Sequence, residues 1–264
     1  MHIEFKINNK SIPLTCYTNP VLPHIGRRYR PAVIVCPGGG YRIINEKEGD
    51  PVARRFQAFG MQSFLLRYSV DGVPFPIALT ELASLVDHIR KNADYYDVDP
   101  DRIVICGFSA GGHLAASLAV HWEKYWFRDC LSSSLDCRPN GVVLCYPVIS
   151  SGEHSHIESV DHLTRKLENK ELKQYISVEN YVSQNTCEVF LWHNFDDKEV
   201  KVENSLLFIN ALVKENVPFE AHIFPAGGHG ISLCDECTAE RENEINESCA
   251  NWVSLAIDWI KRRI

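Results

Sequence analysis

The sequence predicts an α/β fold of three layers around a mostly parallel central sheet, and three observations carry that expectation. Short apolar runs alternate along the chain with stretches of helical periodicity, the pattern left by strands joined through crossover helices. At 264 residues and 45% hydrophobic content, the chain can bury a sizeable core and lies in the range where one α/β domain is commoner than two. No internal repeat, low-complexity tract or Pro/Gly/Ser-rich linker divides it, so a single domain over residues 1–264 is expected.

Taken in order, the opening MHIEFKINNK alternates polar and apolar residues as a first strand would. Further strands are predicted at Ala32 to Cys36, Gln62 to Tyr68, Arg102 to Cys106, Gly141 to Tyr146, Glu188 to His193 and Phe219 to Phe224. Between them, Leu82, Leu85, Val86 and Ile89 recur at i, i+3, i+4 and i+7, as do Trp252, Leu255, Ala256 and Trp259 near the end. These stripes are the core faces of helices. Lys261, Arg262 and Arg263 then fall in the last helical turn, where cations suit the negative end of the helix dipole. One segment breaks the rhythm: Val148 to Thr186 is far longer than a usual connection, and a small helical cap insertion over 148–186 is expected. Its beginning, ISSGEHSHIESVDHL, suits either the wall of a substrate cavity or a wet surface loop.

Charge narrows the partners. Lys and Arg number 27 against 34 Asp and Glu, a formal net charge of −7, so a general affinity for nucleic acid or an anionic membrane is not expected. The basic cluster RRYR at Arg27 to Arg30 reads as a solvated face or turn. The start lacks the layout of an export signal, and no run approaches the ~20 apolar residues a membrane span needs. Ten cysteines without such a signal favour reduced thiols and a cytoplasmic location. Cys234 and Cys237 have the C-x-x-C spacing of half a zinc site, but no second pair stands at a matching distance. A plain loop is the expectation there, with neither metal nor cofactor.

Chemistry concentrates at four places. Gly107, Phe108, Ser109, Ala110 and Gly111 form G-x-S-x-G after a predicted strand and before a predicted helix, the context of a turn that thrusts a serine hydroxyl out of the sheet. A serine hydroxyl is a weak nucleophile at neutral pH and needs a base, which in turn needs an acid to fix its tautomer. His229, in PAGGHG after the last predicted strand, is the candidate base; His222 and His113 lie inside a strand and a helix pattern and read as structural. Asp196 and Asp197 follow a strand end, and both are able to act as the acid. Asp197 is preferred for its position ahead of Val200, which leaves Asp196 as a helix cap. Gly39 and Gly40 of VCPGGGY, with Ala110, are the candidate oxyanion donors, since residues without side chains let backbone N–H groups approach a developing negative charge. A phosphate-binding reading is weak because neither G-x-x-x-x-G-K-[ST] nor G-x-G-x-x-G occurs, and a bare structural turn is the alternative for this loop.

With these parts in the order serine, acid, histidine, the chain resembles the α/β-hydrolases, and within them the acetyl esterase and acetylxylan-esterase-like branch of carbohydrate esterases. CPGGGY, EGDPVARRF, GFSAGGHLAASL, CYPVISSG, VFLWHNFDDKEVKVENSLLF and HIFPAGGHG each resemble segments of that branch, in its order and over nearly the whole chain. The resemblance implies Ser109 as nucleophile, Asp197 as acid and His229 as base, and a metal-free removal of acetyl groups from carbohydrate, typically xylo-oligosaccharides. The chain departs from the branch at Lys201, where proline is usual, at Asn194, where threonine is frequent, and in HLTRKLENKEL, which lacks an expected glycine. A peptidase, formamidase or thioesterase would use the same machinery, because fold does not dictate leaving group. A catalytically silent binding protein on this scaffold would have lost its nucleophile or base, and neither is lost.

Overall fold

The computed structural model describes residues 2–7, 10–20, 29–131, 135–167 and 169–264. Arg27 and Arg28 of the basic cluster, and Met1, Asn8 and Asn9 of the opening stretch, lie outside the described residues. Among the described residues, eight strands form one sheet in the order β1-β2-β4-β3-β5-β6-β7-β8. They are β1 (His2–Ile7), β2 (Lys10–Tyr17), β3 (Arg30–Cys36), β4 (Gln62–Leu66), β5 (Val98–Phe108), β6 (Gly141–Cys145), β7 (Glu188–Asn194) and β8 (Phe219–Phe224). Antiparallel pairing is confined to β1 with β2 and β2 with β4; every other pair is parallel.

The central strands are buried on both faces, which is why they read in the sequence as continuous apolar runs. Their side chains nevertheless sort by parity. Ile34, Ile105, Leu144 and Leu191 join one core with the helices Ile77–Lys91, Ala110–His121 and Glu203–Lys214. Val35, Cys106, Cys145 and Trp192 join the other with Asp50–Ala58 and Trp252–Arg263. The expected helix stripe of Leu82, Leu85, Val86 and Ile89 is wholly buried in the first core. This is the three-layer α/β-hydrolase fold that the sequence predicts. β2 was not foreseen: Pro13 interrupts the alternation of KSIPLTCY, yet it sits opposite Glu4 at the β1 side and its carbonyl accepts from Arg67 N at 3.3 Å.

The segment 148–186 carries two helices, Ile157–Thr164 and Lys170–Ile176, and a 3₁₀ turn, Val178–Tyr181. It is tied to the body by His113, whose Nε2 lies 2.8 Å from Ile176 O and whose Nδ1 lies 2.8 Å from Tyr41 Oη. His113 is thus a buried structural histidine, as expected. No helix of the described residues is long and apolar enough to cross a membrane.

Candidate active site

Parallel strands deliver their C-terminal ends to one edge of the sheet, and all four candidate pieces follow such ends. Ser109 follows β5 with φ 50° and ψ −115°, a backbone that L-residues rarely adopt. Its own N–H donates to Cys145 O at 3.0 Å and its carbonyl accepts from His113 N and Val148 N, so the surrounding structure holds the strained turn. The glycines permit the turn by absence of bulk. A Cβ on Gly107 would lie 2.2 Å from Gly111 O, and one on Gly111 would lie 2.1 Å from Cys36 O. Ser109 remains only 5% exposed.

The structure brings Ser109, His229 and Asp197 together. Ser109 Oγ is 2.9 Å from His229 Nε2, and His229 Nδ1 is 2.6 Å from Asp197 Oδ2. Asp197 Oδ1 accepts from the N–H groups of Glu199 and Val200, each at 3.0 Å. His193 Nε2 stands 3.3 Å from Asp197 Oδ2. Burial opposes the charge on Asp197, but hydrogen bonds from His193 and His229 and their charges outweigh it and hold the carboxyl well below the usual range. Burial likewise opposes charge on His229, and there too the Asp197 hydrogen bond and charge, with Glu199 and Glu48 beyond, win and raise the imidazole above its ordinary value.

Opposite this chain of hydrogen bonds lies the loop after β3. Gly39 and Gly40 take φ +120° and +64°, and the loop closes on itself through Arg42 N and Ile43 N donating to Gly39 O and Asn45 N to Gly38 O. Among the described residues, the N–H groups of Gly39, Gly40 and Ala110 donate to no protein acceptor. Gly39 and Gly40 line a cavity of about 190 Å³ together with Ser109 and His229, and Ala110 follows Ser109 directly at the start of its helix. The cavity lining mixes the polar Arg42, Asn45, Glu158 and Glu199 with the exposed Ile43, and Arg42 Nε is 3.3 Å from Glu158 Oε1.

Comparison with known proteins follows this geometry. The family model described as BD-FAE matches residues 21–212. The chain belongs to the BD-FAE family. Endo-1,4-beta-xylanase B of Butyrivibrio fibrisolvens is 39% identical to this BD-FAE member over 211 residues, which are 78% of this chain and 33% of that protein. Acetylxylan esterase of Xylanibacter ruminicola is 28% identical over 208 residues, 76% of this chain and 41% of that one. The chain therefore spans a third to two fifths of the length of these curated relatives. The crystal structure of an acetyl ester-xyloside bifunctional hydrolase from Caldicellulosiruptor lactoaceticus superposes with a TM-score of 0.82 at 35% identity, covering 96% of this chain and 89% of the other. The acetylxylan-esterase-like α/β-hydrolase that the sequence resembles is thus the family to which it belongs.

Other parts of this BD-FAE site escape a sequence reading. Asp196 caps no helix, contrary to expectation; its Oδ1 accepts from Gly227 N and Gly228 N, both at 2.9 Å, and so fixes the loop that carries His229. Asn194, where threonine is frequent in the branch, donates through Nδ2 to Gly228 O at 2.8 Å and serves the same loop. Cys234 is buried and donates to Ser232 O at 3.5 Å, while Cys237 is exposed; the pair belongs to a turn. Glu48, a charged residue in a polar stretch, has no signal in the sequence that would bring it here, yet it is 1% exposed and lines the same cavity.

Proposed function

We propose that this chain is a carboxylic ester hydrolase that removes acetyl groups from acetylated carbohydrate, xylo-oligosaccharides in particular, through an acyl-enzyme on Ser109. The observation that carries the reading is the unbroken path from Asp197 through His229 to Ser109, at 2.6 and 2.9 Å, beside three backbone donors without protein acceptors. Ser109 Oγ attacks the ester carbonyl carbon while His229 Nε2 takes its proton. The carbonyl oxygen gains negative charge and is held by Gly39, Gly40 and Ala110; one such donor is worth ~3 kcal/mol to the transition state. Collapse breaks the bond to the alcohol oxygen, which leaves with the proton from His229. Water then attacks the acyl-serine, gives its proton to His229, and acetate departs as Ser109 recovers that proton. Asp197 holds the tautomer with Nδ1–H toward itself and stabilises the imidazolium.

The choice of substrate is supported by the relatives' names, an acetylxylan esterase, a xylanase and an acetyl ester-xyloside hydrolase. Arg42, Asn45, Glu158 and Glu199 in the cavity lining offer partners to a hydroxyl-rich alcohol, and Ile43 offers a face for a sugar ring. In this reading residues 1–264 form one domain and 148–186 serve as its cap, since Glu158 lines the cavity and His162 Nδ1 lies 3.0 Å from Gly40 O. Ten free thiols suit a reducing, cytoplasmic setting. Acetate release from acetylated xylo-oligosaccharides, measured beside simple aryl and alkyl acetates, tests the proposal. A higher kcat/KM on the oligosaccharides supports it, and turnover of aryl esters alone overturns the carbohydrate assignment.

A further inference from the structure

Glu48 stands between the two halves of the site. Its Oε2 accepts from Gly38 N at 2.8 Å, at the root of the loop that presents Gly39 and Gly40. A Cβ on Gly38 would lie 2.7 Å from that oxygen and 2.9 Å from Ser109 Cβ, so only glycine fits where this loop passes the carboxylate and the nucleophile. Its Oε1 accepts from Tyr146 Oη at 2.8 Å. Tyr146 Oη in turn accepts from Ser232 N at 3.0 Å, three residues beyond His229, and its ring meets the imidazole edge to face with centroids 4.9 Å apart. Ser232 Oγ returns to the same turn by donating to Lys47 O at 2.7 Å.

We propose that Glu48 is a positioning residue: one buried carboxylate that fixes the oxyanion loop through Gly38 and the base loop through Tyr146 and Ser232, and sets its charge against the imidazolium formed on His229. The inference rests on the ester-hydrolase reading. Two features make the position purposeful. A buried carboxylate is costly unless its oxygens are satisfied, and here each receives a directed donor from a different part of the site. The charged and titratable groups around it are Lys47 beside it, Tyr68, Cys145 and Tyr146 from strand ends, and His229 from the last loop. Burial raises the Glu48 carboxyl, and the hydrogen bonds from Tyr146 and Gly38 and the charges of His229 and Lys47 oppose it; burial also raises the thiol and both phenols, which stay neutral, and Lys47 Nζ turns to Glu240 and Glu244. His229 is the group that gains positive charge as the reaction proceeds, so the carboxylate favours the transition state over the ground state. Asp197, Glu199 and His156 are the other titratable neighbours of the imidazole.

The test compares wild type with Glu48→Gln and Tyr146→Phe. A glutamine keeps the shape but can accept only on one side and carries no charge. Expected for Glu48→Gln is a kcat lower by roughly ten- to a hundredfold with KM within about twofold, and an acid limb of kcat/KM moved to lower pH. An NMR titration of the His229 imidazole, which needs no substrate, should move the same way. Tyr146→Phe should lower kcat and move the acid limb less far than Glu48→Gln does, because it removes one hydrogen bond that favours the carboxylate but not the carboxyl group itself. A folded Glu48→Gln with wild-type kcat and an unmoved His229 titration overturns the proposal. Should Glu48→Gln not fold, wild-type kcat in Tyr146→Phe overturns it instead. A wild type inert toward every ester sinks the hydrolase reading, whereas the imidazole titration still decides whether Glu48 acts on His229.

Discussion

Asp196 and Asp197 are neighbours in the chain whose carboxylates hold the same loop at different points: Asp197 Oδ2 lies 2.6 Å from His229 Nδ1, while Asp196 Oδ1 accepts the amides of Gly227 and Gly228 at 2.9 Å. One orients the ring and the other orients the backbone that carries it. Asp197→Asn should therefore lower kcat by about 10⁴-fold, because an amide facing Nδ1 selects the wrong tautomer. Asp196→Asn should cost only about three- to tenfold, since the carboxylate is exposed and water can replace part of its role. Steady-state kinetics on an aryl acetate separate the two; equal losses would contradict the division of labour.

Ser109 pairs function with strain. Its φ of 50° and ψ of −115° are comfortable only for glycine. Ser109→Gly should abolish turnover yet raise stability by about 1 kcal/mol, read as a higher melting temperature. Ser109→Ala should abolish turnover without that gain. A melting temperature for the glycine variant at or below that of the alanine variant would contradict the expectation.

The oxyanion loop depends on Gly39, where φ is +120° and a Cβ would lie 2.2 Å from Ile43 O. Gly39→Ala must shift the loop and with it the donors. The expected result is a kcat lower by about a hundredfold, with KM little changed, because the donors act on the transition state. An unaltered kcat would place the oxyanion elsewhere.

Activity should rise with pH through the His229 pKa, since the base must be neutral, and that limb should lie above the ordinary imidazole value. Glu199→Gln removes one of the charges that raise it and should move the limb to lower pH. A pH profile of kcat/KM in the two proteins checks both statements.

Stability should follow the buried histidines. Burial outweighs the hydrogen bond to Ile176 O and pushes His113 down to about 4; it likewise outweighs the bond to Tyr175 O and pushes His121 down to about 3. The folded protein then resists protons that the unfolded chain binds near 6.5, so this stability is present above that pH and is lost as pH falls toward the folded values. The loss should reach about 2 kcal/mol for each histidine between pH 7 and 5. His229, raised in the fold, works in the opposite sense, present below its unfolded pKa and lost as pH rises through its folded one. Asp197, lowered in the fold, matters only in acid below the ordinary carboxylate range. Melting temperatures across this range should fall steeply in wild type and less so in His121→Phe; parallel slopes would refute the assignment.

What the amino-acid string by itself determined are features written over a few consecutive residues. The apolar run into GFSAGG, the glycines around His229 and the strand-then-acid order of Glu188 to Asp197 are local patterns, and they led to Ser109, His229, Asp197, Gly39, Gly40 and Ala110. Only the tertiary structure decided the rest, because it turns on partners remote in sequence. Pro13 masked a strand whose pairing is supplied by β1 and β4. Asp196 has the composition of a helix cap and found amides thirty-one and thirty-two residues away instead. Glu48 sits in a stretch of charges that reads as surface, and it is buried because Gly38, Tyr146 and Ser232, the last through Tyr146, close around it. Burial and the pairing of a charge are properties of the folded neighbourhood, and no window of neighbouring residues encodes them.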